Sequence, residues 1–255
     1  MGTRRYQARP KVRKICLITG ASGKLGSALC ESLADDYDCI AVYRTRVPSF
    51  PSNLVKPLGV DATTVKEHNV PVSYCVQADL AIRSERRRVV EVALARFHHV
   101  DAVINCAADS KFHGKLLELS FGHDDVVNQL FLNCVMPIGL ISDLFQVSWK
   151  NDRDENENRN RCVVNVSSVS GLHLYPNRGQ AFYGASKAAL NHLTRYLAEE
   201  LRPYAVRANA ICPSRFPGSV PTDRVVSEIR SLLDGHRTGA VIEVLGRTAA
   251  PKKGK

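Results

Sequence analysis

Eight cysteines are present, yet the chain has no C-x-x-C pair and no cluster of cysteine with histidine. That absence argues against a zinc site, and no metal is expected. Cys16, Cys30, Cys39, Cys75, Cys106, Cys134, Cys162 and Cys212 are scattered, most of them in apolar runs. There cysteine behaves as a small buried hydrophobe, which suits a reducing compartment. Long hydrophobic runs are also missing, none approaching the roughly 20 residues that span a bilayer. The basic N-terminus has no apolar stretch behind it, so no secretory signal is expected. Gly2 is followed by Tyr6 where N-myristoylation wants serine or threonine. The expectation is a soluble, cytoplasmic protein with no membrane partner. Internal repeats and nucleic-acid-binding motifs are absent as well.

Acidic residues are missing from both ends. Residues 1–14 hold Arg4, Arg5, Arg9, Lys11, Arg13 and Lys14, and residues 247–255 hold Arg247, Lys252, Lys253 and Lys255. These two tails carry the whole formal excess of +10, so the middle of the chain is neutral. Short basic tails are usually solvated. The basic balance is therefore no argument for a nucleic-acid partner, and none is expected. Residues 1–12 and 246–255 are expected to be disordered tails around one domain, 13–245.

Within that domain, short β-branched runs alternate with helix-length amphipathic stretches. "KICLITG", "DCIAVY", "SYCVQ", "DAVINCA", "CVVNVSS", "VRANAIC" and "GAVIEV" read as strands. "KLGSALCESLADD", "SERRRVVEVALARF", "DDVVNQLFLNCVMPIGLISDLF", "ASKAALNHLTRYLAEEL" and "TDRVVSEIRSLL" read as helices, the last with Thr222 as its N-cap. Residues 44–70, broken by Pro48, Pro51 and Pro57, and the hydrophilic run at 150–161 read as loops. Strand–helix alternation with apolar strands predicts α/β architecture, a single doubly wound parallel sheet of the Rossmann kind.

"LITGASGKLGSAL" sets Gly20, Gly23 and Gly26 between the first strand and the first helix. Such a turn lets backbone approach a pyrophosphate while the helix N-terminus offers free N–H groups and positive dipole. The glycines alone are weak evidence; the strand–turn–helix order strengthens them. The second strand ends in Arg44, with Arg46 nearby, where NAD binding usually wants an acid. Arg44 with Lys24 on the same side points to a 2′-phosphate and so to NADP(H). Asp79 is placed to accept from an adenine amine, and Asn105 ends the fourth strand over the cofactor.

Tyr183 and Lys187 stand four residues apart, one turn apart on one helical face. An ammonium beside a phenol favours the phenolate and lowers a pKa otherwise about 10. Surface Tyr/Lys pairs are common by chance, so the surrounding motifs decide. T-G-A-S-G-K-L-G (19–26), D-L (79–80), N-C-A-A (105–108), N-V-S-S-V-S-G (165–171), Y-G-A-S-K (183–187) and N-A-I-C-P (209–213) occur in this order. With them the chain resembles the short-chain dehydrogenase/reductase family over roughly residues 13–245.

The resemblance implies hydride transfer between a nicotinamide and a carbonyl/alcohol pair. It carries a catalytic tetrad to Asn133, Ser168, Tyr183 and Lys187. Ser168 would align the carbonyl, Tyr183 would donate the proton, and Lys187 would hold the ribose and depress the tyrosine pKa. Asn133 would brace its helix and position a relay water. Ser167 and Ser170 are rival serines; Ser168 has the family's offset to Gly171. Cofactor contacts carry over to Gly20, Ser22, Gly23, Lys24, Leu25, Gly26, Arg44, Asp79, Leu80, Asn105, Ala107, Tyr183, Lys187 and Pro213. The resemblance also implies a homodimer or homotetramer, formed through the helix bearing Asn133 and the next one. The expected activity is NADPH-dependent reduction of a small-molecule carbonyl substrate, a bulky or biosynthetic intermediate. The alternative is a non-catalytic NADP(H)-binding regulator or scaffold on the same fold.

The chain departs from the family in four places. Its glycine spacing is that of extended and atypical members, and N-C-A-A replaces N-N-A-G. Pro213–Ser214 replaces Pro-Gly. Only "PSRFPGSVP" (213–221) occupies the place of a substrate lid of some two dozen residues. Three prolines and a glycine predict an extended loop that borders the site without enclosing it.

Overall fold

The computed structural model describes residues 13–50, 54–58, 72–110, 114–118, 124–175, 178–216 and 218–246. Eight strands form one sheet: β1 (Lys14–Thr19), β2 (Tyr37–Tyr43), β3 (Leu54–Pro57), β4 (Val72–Gln77), β5 (Ala102–Asn105), β6 (Cys162–Val166), β7 (Arg207–Pro213) and β8 (Val241–Val244). Their order is β3-β4-β2-β1-β5-β6-β7-β8, and every pairing is parallel. The helices are α1 (Lys24–Ser32), α2 (Arg83–Phe97), α3 (Asp124–Leu130), α4 (Met136–Val147), α5 (Arg153–Asn158), α6 (Ala181–Leu201) and α7 (Thr222–Asp234).

Alternation along each strand makes two cores. Ile15 and Leu17 of β1 pack with Val89 and Val90 of α2, Leu140 and Leu144 of α4, and Leu197 of α6. Cys16 and Ile18 pack on the other face with Leu25 and Leu29 of α1 and Val225 and Ile229 of α7. Successive side chains of a strand point to opposite faces, so a strand buried on both sides must be apolar throughout. Each fully buried Leu or Ile contributes about 1.5–3 kcal/mol. The doubly wound sheet is therefore as expected. The chain leaves β1 toward β2 on one side and returns after α2 to β5 on the other. The carboxyl end of β1 lies at this reversal, where ligands of open α/β sheets bind.

Three local expectations need correction. The segment 44–70 is not all loop: Leu54–Pro57 adds β3 to the sheet edge beside β4, a place where proline is tolerated. Residues 51–53 and 59–70 of that segment lie outside the described residues, as do residues 1–12 and 247–255 of the basic tails. The polar run 150–161 contains α5, whose sequence has no apolar period. Its buried Asn156 donates to the carbonyls of Trp149 and Tyr204, both at 2.8 Å, and Arg153 pairs with Glu157 at 3.0 Å along its surface. Thr222 is the first residue of α7 rather than its cap, which is Pro221.

Between α3 and α4 the chain passes through a π-helical turn, Phe131–Val135. The continuous helical stretch Asp124–Val147 is long and apolar enough to cross a membrane by length and composition. Its apolar side is used inside the fold, where Met136, Leu140, Ile141 and Leu144 are fully buried.

Candidate active site

After β1 the chain turns through Gly20 to Gly23 into α1. Gly20 has φ +67°, and a Cβ there would lie 2.8 Å from the Ala107 nitrogen. Only glycine lets this turn pass so close to the backbone that follows β5. Gly23 stands at the N-cap of α1, and no side chain caps the helix. The first-turn N–H groups of Lys24, Leu25 and Gly26 thus lack intrahelical acceptors and carry the positive end of the helix dipole. Such a cradle fits a diphosphate.

Two adjoining cavities open here and share Gly20, Gly23, Cys106 and Ala108. The first, about 460 Å³, is lined by Ser22, Arg44, Arg46, Asp79, Leu80 and Ala107 among others. Arg46 Nη2 donates to the Ser22 carbonyl at 3.0 Å and the Ser22 hydroxyl donates back to the Arg46 carbonyl, which clamps β2's end to the glycine turn. Arg44 is exposed at the rim. One Asp79 oxygen accepts the Ala81 N–H at 3.0 Å. Lys24, the first residue of α1, lines the second cavity, which adjoins the one lined by Arg44.

The Asn105 side chain is buried. Nδ2 donates to Asn165 Oδ1 at 2.8 Å, and Asn165 Nδ2 donates to Thr194 Oγ1 at 2.9 Å, which joins β5, β6 and α6. Cys106, Ala107 and Ala108 form the wall at this level. Burial pushes the Cys106 thiol up to about 12, against the opposing pull of Lys187.

The second cavity, about 480 Å³, gathers Leu25, Gly26, Ser168, Tyr183, Lys187 and Pro213. Tyr183 lies in the first turn of α6, and Lys187 Nζ is 5.8 Å from its ring centroid. Lys187 is only 2% exposed and Nζ donates to the Val166 carbonyl at 2.9 Å. Burial draws its ammonium down to about 8, opposed by the nearby Cys106, Cys212 and Cys134. Burial likewise raises the Tyr183 phenol above its usual value, opposed by a hydrogen bond with Ser168. The expectation that Lys187 depresses the Tyr183 pKa is therefore not met: both groups are buried, and burial penalises both charged forms. A phenol held up in this way keeps its proton at neutral pH.

The rival serines separate. Ser167 is buried and donates to the Lys187 carbonyl at 3.1 Å. Ser168 lines the same cavity as Tyr183, and its Oγ accepts the Ser170 N–H at 3.2 Å. A Cβ on Gly171 would lie 2.6 Å from the Lys187 carbonyl carbon, so this glycine lets the serine turn press against α6. Asn133 lines neither cavity. Fully buried in the π turn, it accepts the Asp109 N–H and donates to the Asp109 carbonyl, both at 2.7 Å, and donates to Ser186 Oγ at 3.1 Å. It ties the segment after β5 to α6.

Arg215 and Phe216, from the short segment between β7 and α7, also line the cavity. Sequence reasoning had the segment bordering the site but named no residue on it beyond Pro213; only its position after β7 could have singled them out. Residues 214–221 are all that separate β7 from α7.

A doubly wound parallel sheet with a glycine cradle at its reversal and a Ser–Tyr–Lys cluster beside it defines a nucleotide-dependent oxidoreductase type of site. The short chain dehydrogenase family profile matches residues 14–228. The chain belongs to this family of oxidoreductases. It is 26% identical to the 3-oxoacyl-[acyl-carrier-protein] reductase FabG of Staphylococcus aureus, over 86% of this chain and 81% of that protein. It is 37% identical to Protein FixR of Bradyrhizobium diazoefficiens over 109 residues, which is 43% of this chain but only 34% of FixR. The fold also resembles a short chain dehydrogenase of Leptospira borgpetersenii with bound NAD+, at TM-score 0.73, 21% identity and 92% coverage of each chain.

Proposed function

We propose that the protein is an NADPH-dependent carbonyl reductase. One observation carries this reading: Tyr183, Ser168 and Lys187 meet in the cavity that adjoins the glycine cradle. The uncapped α1 terminus and the close pass at Gly20 fit the diphosphate of a dinucleotide. Arg44 and Arg46 at the end of β2 favour a 2′-phosphate, and Asp79 suits the adenine. The similar Leptospira protein holds NAD+, so the preference for NADP(H) rests on these arginines. When bound, the nicotinamide supplies the hydride.

Ser168 donates to the substrate carbonyl oxygen and aligns it. Tyr183 then delivers its proton to that oxygen as negative charge develops there. A phenol carries its proton at neutral pH, so Tyr183 is ready to donate it. Lys187, still mostly charged at pH 7, holds the ribose and steadies the phenolate left behind. Asn133 keeps α6 in register with the segment after β5.

The likeness to FabG supports a ketone substrate. A segment as short as 214–221 would border the cleft without enclosing it, which would suit a bulky substrate. Exposed Val127, Val135 and Tyr196 on α3, the π turn and α6 support self-association through these helices. A non-catalytic regulator would have no use for the buried Tyr–Lys pair. The test is a screen for NADPH oxidation across ketones, quinones and biosynthetic intermediates. Reduction of a ketone, faster with NADPH than NADH, is expected; NADPH binding with no reduction of any ketone would refute the reading.

A further inference from the structure

We infer that the substrate of this site is an anion: a carbonyl compound whose carboxylate or phosphate is held by Arg178 and Arg215. This deepens the reductase reading and rests on it. The cavity holding Tyr183 is lined by Lys24, Arg178, Lys187 and Arg215, and by no aspartate or glutamate among the described residues. The basic excess of the sequence sits in its tails and leaves the body neutral. Four cations without an acid in one cleft are thus a local feature.

Two of the four have work under the proposed function. Lys24 starts α1 beside the diphosphate cradle, and Lys187 serves the ribose and Tyr183. Arg178 and Arg215 remain. They come from separate elements, Arg178 from the approach to α6 and Arg215 from the loop after β7. Neither makes a side-chain hydrogen bond or ion pair among the described residues. Arg178 instead lies over the Tyr175 ring, 4.8 Å from its centroid, which holds it without consuming its donors. Some other arginines of the fold are paired, such as Arg86 with Asp143 at 2.8 Å and Arg230 with Asp36 at 2.8 Å.

A bordered cleft with one sign of charge concentrates ligands of the other sign. The planar guanidinium fork matches carboxylate and phosphate oxygens in pairs. The short loop after β7 brings Arg215 to the cleft. The carbonyl then lies at Tyr183 and Ser168 while the acid group is held at the rim.

The probes are benzoylpropionate, phenacyl phosphate and the neutral methyl ester of benzoylpropionate. Their kcat/KM values with NADPH are measured for the full chain and for Arg178→Gln, Arg215→Gln and the double variant, at low and high salt. One or both anions should exceed the ester at least tenfold, and which anion does so separates carboxylate from phosphate recognition. Each single variant should cut that ratio about tenfold, and the double variant and high salt should bring it toward one. A ratio near one in the wild type, or one unchanged in the double variant, overturns the proposal. So does a parallel rise in the NADPH Kd of Arg215→Gln, which would assign that arginine to the cofactor. If no probe is reduced, the reductase reading is decided by the broader ketone screen. Calorimetric binding of the two anions to the NADPH complex then decides this proposal alone. Salt-sensitive binding lost in the double variant upholds it; no binding, or binding unchanged in that variant, overturns it.

Discussion

Replacing Lys187 by methionine should make the protein's stability less dependent on pH, in a direction fixed by burial. Lys187 is nearly fully buried, and its ammonium titrates near 8 in the fold against 10.5 for an exposed lysine. Between these values the unfolded chain binds more protons than the folded one, so wild-type stability rises with pH through that window. Below 8 the penalty is fully present, about 3 kcal/mol. Methionine has similar length and no charge, so it escapes this penalty. It also removes the donor to the Val166 carbonyl, a loss of about 1–3 kcal/mol that does not depend on pH. The informative quantity is therefore the change in the stability gap with pH, not the gap itself. Urea unfolding of both cofactor-free proteins at pH 7 and pH 9 should show the gap moving in favour of wild type by about 1 kcal/mol. Burial-raised thiols such as Cys106 and Cys212 act oppositely at high pH, but they are common to both proteins and largely cancel. A gap that stays constant between the two pH values would refute the claim that Lys187 is a buried cation.

Arg44→Asp should reduce the preference for NADPH over NADH by about tenfold or more, since it replaces a guanidinium partner of the phosphate by a like charge; titration of both cofactors by fluorescence checks it. Gly20→Ala should weaken cofactor binding and cost about 1–3 kcal/mol of stability, because the new Cβ would meet the Ala107 backbone at 2.8 Å with φ at +67°. Thermal unfolding with and without NADPH measures both effects.

The architecture was legible because the strands are buried on both faces and therefore apolar throughout, as "KICLIT" shows, while the helices between them are amphipathic. β3 and α5 escaped notice for the complementary reason. β3 is an edge strand closed by Pro57, and α5 is polar all round, anchored by the two hydrogen bonds of Asn156 rather than by an apolar stripe. At the site, motif residues such as Ser168, Tyr183 and Lys187 could be assembled because each lies on a rigid element at a fixed offset. Their electrostatics could not. Helical spacing alone suggested an ammonium lowering a phenol pKa, whereas depth within the fold raises the Tyr183 phenol and lowers the Lys187 ammonium. Arg178 and Arg215 lie in irregular segments where no period marks them.

The central claim is that Tyr183 is the proton donor of an NADPH-dependent ketone reduction. The most direct measurement compares wild type and Tyr183→Phe on a reduced ketone, following alcohol formation together with NADPH affinity. Loss of the donor should lower turnover about 10²–10⁴-fold while the NADPH Kd stays within about twofold, because the ring remains in place. Near-wild-type turnover by Tyr183→Phe would contradict the account.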